Sequence, residues 1–99
     1  MEQKSIRVKI RFRSEDAGGR ITPADLRAGI YRPHFRLDKG GYLGVVLING
    51  STALALPGTS ASAGAVLIYP GVDYSALKTG VLFDVLEGAR IVATGEAIS

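Results

Sequence analysis

Cysteine and tryptophan are absent from the chain, and histidine and methionine occur once each. Without cysteine there can be no disulfide, no thiolate metal ligand and no thiol nucleophile. The lone histidine, His34, has no paired-carboxylate motif beside it, so neither a general acid–base pair nor a nucleophile with an activating partner is legible. The acidic residues are scattered, which offers no converging set of metal ligands. The stretch Gly58-Thr59-Ser60-Ala61-Ser62-Ala63-Gly64 lacks the Gly-Lys-Ser/Thr ending of a phosphate loop and reads as a small-residue loop. No catalytic residue, metal, cofactor or small-molecule substrate is therefore expected. Nor does any apolar run approach the roughly 18 residues that a spanning helix needs. Charged and apolar residues alternate from Met1 to Lys9, unlike a secretory start. The expectation is a soluble, cytoplasmic protein without membrane contact.

What is present suffices for one unit. Ninety-nine residues can bury a single core but not two domains with a cleft between them, so residues 1–99 read as one domain. With 46% hydrophobic and 21% charged residues, the composition excludes a disordered chain. The net charge of +3 is unevenly placed: residues 1–40 carry ten Lys and Arg against five Asp and Glu, and residues 41–99 carry two against four. The two parts stand at +5 and −2. A localised basic charge of this kind favours an anionic partner such as nucleic acid or an acidic protein surface.

Ile6, Val8, Ile10 and Phe12 alternate with Arg7, Lys9, Arg11 and Arg13, a period of two that predicts a strand with one apolar and one cationic face. Ser14 to Ile30 reads as an excursion loop broken by Gly18-Gly19 and Thr22-Pro23, with room for one helical turn at Pro23–Ala28. Tyr31–Leu37 and Tyr42–Ile48 read as strands joined by Asp38-Lys39-Gly40-Gly41. A further strand is expected over Ser62–Tyr69, and a closing hairpin over Val81–Leu86 and Ala89–Ile98 around Glu87-Gly88. Six strands without a convincing helix point to a sandwich or a closed antiparallel barrel, closure removing the exposed edges. The expected core is Ile6, Val8, Ile10, Phe12, Phe35, Leu43, Val45, Leu67, Phe83, Val85 and Val92.

Three segments carry a family resemblance: Gly18-Gly19-Arg20-Ile21-Thr22-Pro23, Tyr31-Arg32-Pro33-His34-Phe35 and Glu87-Gly88-Ala89-Arg90-Ile91-Val92. In order and spacing they resemble the C-terminal β-barrel domain of translation elongation factor Tu. The resemblance implies an all-β, single six-stranded antiparallel, Greek-key-like barrel without a GTPase domain. It also implies that Arg20 and Thr22, Arg32 and His34, and Glu87, Gly88 and Arg90 lie on a surface that meets tRNA or a protein partner. Ile21 stands where the family has His, His34 where it has Gln, and Leu86 where it has Arg. Ala24-Asp25 replaces two Phe that face a neighbouring domain in the factor.

Read from the residues alone, the glycines let the loop hold Arg20 in a fixed position, or they merely shape a turn in which Arg20 pairs with Glu15 or Asp16. Two binding functions follow. One is a module that clamps tRNA or other structured RNA through Arg7, Lys9, Arg11 and Arg13 with Arg20, Arg32 and Arg90. The other is a protein-interaction module that imitates the factor's C-terminal domain and occupies a protein partner of the translation machinery without RNA, as a decoy, immunity or assembly subunit.

Overall fold

A computed structural model describes residues 4–38 and 40–99 of the chain. Met1–Gln3, in the opening segment, and Lys39, in the predicted turn, lie outside the described residues. Among the described residues eight strands form: β1 (Ser5–Phe12), β2 (Ala24–Asp25), β3 (His34–Arg36), β4 (Tyr42–Ile48), β5 (Leu54–Ala55), β6 (Ser60–Leu67), β7 (Leu82–Glu87) and β8 (Arg90–Ala97). Six of them close a barrel in the order β1-β6-β4-β3-β7-β8, every pair antiparallel. The fold is all-β, and its only helical element among the described residues is a three-residue 3-10 turn at Glu15–Ala17. No helix among the described residues is long and apolar enough to cross a membrane.

The alternation of β1 sets the pattern. Val8, Ile10 and Phe12 point inward and are buried, while Arg7, Lys9, Arg11 and Arg13 stay exposed. Six strands enclose a narrow space, so large and small side chains must alternate around it. The two strands flanking β1 carry the small ones. Facing Val8 and Ile10 are Ala63 and Ala61 of β6 on one side and Ala97 and Gly95 of β8 on the other. Phe35, Val45, Leu47, Phe83 and Val85 fill the remaining volume, and the Phe35 and Phe83 rings stack with centroids 4.0 Å apart. All eleven expected core residues are in this cluster or packed against it.

Two connections cross the barrel and close its ends. The segment between β1 and β3 spans the end marked by Phe12 and the β7–β8 hairpin, bringing Ala24, Leu26 and Tyr31 into the core. The segment between β6 and β7 spans the other end with Leu77 and Tyr74. An additional two-stranded sheet, β2 with β5, ties the first crossing to the β4–β6 connection.

Several sequence expectations need correction. Pro23–Ala28 makes no helical turn: Ala24–Asp25 is strand, and the Asp25 carboxylate then accepts the amides of Ala28 at 2.8 Å and Arg27 at 2.9 Å. Those amides hold the Asp25 carboxyl below its ordinary range. Gly58–Gly64 is not all loop, since β6 begins at Ser60 and its alanines point inward. The strand expected at Tyr31 begins at His34. Val45 and Leu47 still donate to the carbonyls of Pro33 and Tyr31 at 3.1 and 3.0 Å, but Pro33 has no amide to return a bond, so the ladder runs one-sided there.

Gly95 tests the packing argument. A Cβ at this position would overlap the Phe83 ring. Gly95→Ala is expected to lower stability by about 1–3 kcal/mol, the cost of overpacking a filled core. Urea denaturation measures it, and an unchanged midpoint would contradict this account of the interior.

Candidate functional site

The mouth of the barrel beside the β7–β8 hairpin gathers most of the residues singled out in the sequence. The hairpin turns at Gly88, whose φ of +63° suits the left-handed region that glycine adopts without strain. The turn places Glu87 opposite Arg90. Gly18 and Gly19 shape the facing loop in different ways. Gly18 has φ +90° at the end of the 3-10 turn, while a Cβ on Gly19 would run into the carbonyl of Arg13. The chain is thereby pressed against the end of β1, and Arg20 points over the barrel mouth.

Arg20 is fully engaged there. Its Nη1 donates to Glu87 Oε2 in a short ion pair, its Nε donates to the Thr22 carbonyl at 3.2 Å, and its Nη2 reaches Thr22 Oγ1 at 3.2 Å and the Pro23 carbonyl at 3.4 Å. The guanidinium also lies 4.8 Å from the centre of the Tyr31 ring. The Tyr31 hydroxyl donates to the same Glu87 oxygen at 2.7 Å. Burial opposes the charge of Arg20, yet Glu87 and Tyr31 outweigh it and its pKa is raised. Burial, then the neighbouring Glu87 carboxylate, push the Tyr31 phenol well above its ordinary value. Arg90 closes the same assembly from the hairpin side, donating through Nε to the Gly18 carbonyl at 3.0 Å and through Nη2 to the Gly19 carbonyl.

The arrangement is a clasp between loop and hairpin. It unites Arg20, Thr22, Glu87 and Arg90 around the turn at Gly88, and it adds Tyr31, which lay in a resembling segment and an expected strand but was not among the expected site residues. Arg20 pairs with neither Glu15 nor Asp16. Both arginines of the clasp have their donors directed at protein oxygens. Leu86, which stands where the resemblance expects Arg, is fully buried.

Arg32 and His34 border this mouth without joining the clasp: Arg32 follows Tyr31 and points outward, and His34 pairs with Leu86, the residue before Glu87. Arg32 is exposed and makes no side-chain hydrogen bond or ion pair among the described residues. His34 lies across from Gly44, its ring 5.7 Å from that of Tyr42.

The cations of β1 form a separate surface. Arg7 and Arg13 reach only a hydroxyl and carbonyl oxygens, at 3.4–3.5 Å, and among the described residues no carboxylate lies within ion-pair distance of Arg7, Lys9, Arg11 or Arg13. The two flanks of this row differ. Toward β8 a groove of about 660 Å³ mixes Lys9, Arg11 and Arg36 with Asp38, Asp84 and Glu96, so its charges offset one another. Toward β6 the outward neighbours are Ser60, Ser62 and Gly64, small and uncharged.

No protein-family model matches the chain. The surfaces themselves therefore carry the functional argument.

The clasp sets an alkaline limit. With the Tyr31 pKa above its ordinary 10.0, the folded protein keeps a proton that the unfolded chain releases. Its stabilisation is complete below pH 10.0 and is lost as pH rises further. Chemical denaturation between neutral pH and pH 11 should show stability falling only at the alkaline end, and Tyr31→Phe should flatten that fall. Arg90→Ala should cost about 1–2 kcal/mol, because two loop carbonyls lose a charged donor. An unaltered melting curve would dismiss the clasp as a structural element.

Proposed function

We propose that this protein is a non-catalytic, cytoplasmic RNA-binding barrel, related to the C-terminal domain of elongation factor Tu, that grips the backbone of structured RNA such as tRNA. The observation that carries this reading is the row Arg7, Lys9, Arg11 and Arg13: three outward cations on β1 and a fourth just past its end, none within ion-pair distance of an acid among the described residues. Successive outward positions on a strand lie about 6.6 Å apart, so the row is a linear electrode along the barrel wall. Its β6 flank has no bulky side chain between Ser60 and Gly64 to hold a phosphate backbone away. Contacts of this kind position a nucleic acid without reading sequence.

The three-segment resemblance supports kinship with the translation factor, and the six-stranded antiparallel barrel is compatible with it. The contact surface differs from the one that resemblance implies. Arg20 and Arg90 are tied into the clasp, so in this reading they hold the hairpin while β1 and Arg32 meet phosphate.

A second reading, a protein module that imitates the factor's domain and docks on translation machinery, draws on the apolar side chains around the closed mouth. Ile21, Leu54 and Leu56 are each more than half exposed there. Such exposure fits a protein contact better than an RNA contact.

Fluorescence anisotropy with labelled tRNA across a salt series separates the two. RNA binding through β1 predicts an affinity that falls log-linearly with salt, with the slope reduced by about one for each phosphate contact removed. Lys9→Glu with Arg11→Glu should abolish binding to unrelated duplex RNAs alike, and Arg32→Glu should weaken it. No binding at low salt would eliminate the RNA reading and leave the protein module.

A further inference from the structure

Three rings that take no part in the core converge on the outer face of β3 and β4. Gly44 is the floor between them. His34 sits directly opposite Gly44 on β3, and its ring meets Tyr42, two residues before Gly44 on β4. From the other side the Tyr69 ring lies so close over Gly44 that a Cβ there would overlap it. The Tyr74 hydroxyl fixes this placement: it donates to the Gly44 carbonyl at 2.6 Å and accepts the Tyr69 amide at 3.3 Å. The backbone that carries Tyr69 is thus bonded to the residue its ring covers.

These rings are held in place yet not buried. Tyr42 is 46% and Tyr69 47% exposed, an unusual share of apolar ring area for a barrel wall with no partner of its own. Cations border them on β3. Arg32 and Arg36 occupy the outward positions on either side of His34, Arg32 without a side-chain partner among the described residues and Arg36 in a pair with Asp84 at 3.3 Å. Beyond Tyr69 lies a groove of about 600 Å³ walled also by Lys4, Pro70 and Val72.

We propose that His34, Tyr42 and Tyr69 form a stacking platform for unpaired bases of an RNA, with Arg32 bound to the adjoining phosphate. The proposal rests on the RNA reading above and extends it from duplex to single strand. Exposed aromatic faces beside free cations are the chemistry that captures unstacked bases, and stacking is indifferent to base identity. The position suits this role. β4 is separated from the cationic strand β1 by β6 alone, about 10 Å around the wall at ordinary strand spacing. Gly64 of β6 pairs with Arg7 of β1 on one side and with Ile48 of β4 on the other, so a single-stranded end leaving the row at Arg7 can cross β6 over a residue without a side chain and then follow β4 past Val46 to the rings at Gly44.

The test compares a fluorescein-labelled blunt RNA hairpin, the same hairpin with a short unpaired tail, and the tail alone. The tail should tighten binding by about 5- to 150-fold, the range of one stacked base. Tyr42→Ala should remove most of that gain while leaving the blunt hairpin's affinity unchanged, and Tyr42→Phe should preserve it. Because Tyr69→Ala uncovers Gly44 and can disturb folding, photocrosslinking of an iodouridine-substituted tail to the native protein supplies the second measurement. Crosslinks should map to peptides containing Tyr42 or Tyr69. If the blunt hairpin binds but the tail adds nothing, or crosslinks fall elsewhere, the platform is refuted while the RNA reading stands. If the tail alone binds and the hairpin does not, the platform stands and the duplex grip falls. If no RNA binds, both are overturned.

Discussion

The structure depends on filling a barrel too narrow to accept large side chains from every strand. β1 contributes Val8, Ile10 and Phe12 because both its neighbours contribute only alanine and glycine at the facing positions. On the opposite wall, the stacked pair of Phe35 and Phe83 takes the space that Gly95 leaves. Bulk on one strand is matched by its absence on the next, and interiors tolerate little deviation from such complementarity. The ends follow the same logic: each connection that crosses the barrel drops aromatic or leucine side chains into an opening that strands alone leave unfilled.

Closure has a consequence for charge. Once every inward position is apolar, all cations of β1 are forced outward into one row, with Glu96 of β8 across from Lys9 on one flank and only small uncharged residues of β6 on the other. At the mouth the reverse holds. Where the first crossing meets the last hairpin, Arg20 and Arg90 donate to loop carbonyls, and the Glu87 carboxylate accepts from both Arg20 and the Tyr31 hydroxyl. A partly buried carboxylate shared by a guanidinium and a phenol is far more constrained than an exposed ion pair. The cations of this chain thus divide between those tied into the clasp and those left exposed on the barrel wall, and position relative to the mouth decides which.

Much of the architecture was legible in the chain because alternation is local. The period of two in Ile6–Phe12 dictates which side chains face inward whatever the rest of the protein does, and Gly88 marks the last hairpin through its own conformational preference. The two short strands β2 and β5 left no such trace. Two residues are too few to display a period, and their pairing arises only because two connections lie side by side over the same opening. The start of β6 was hidden for a related reason: Ser60 and Ala61, ahead of the strand expected from Ser62, read as loop when the large neighbours that require small residues are unseen.

The site divides in the same way. The sequence by itself determined a basic outer face on β1, an apolar interior, and a tight turn between Glu87 and Arg90. Tertiary structure alone decided that Arg20 meets Glu87, a residue 67 positions away, rather than the acids close by in sequence. It alone brought Tyr69 over Gly44 beside His34 and Tyr42. The reason is physical: facing is set by strand periodicity along the chain, whereas ion pairs and ring contacts are set by distance through space, and only closing the barrel brings those groups together.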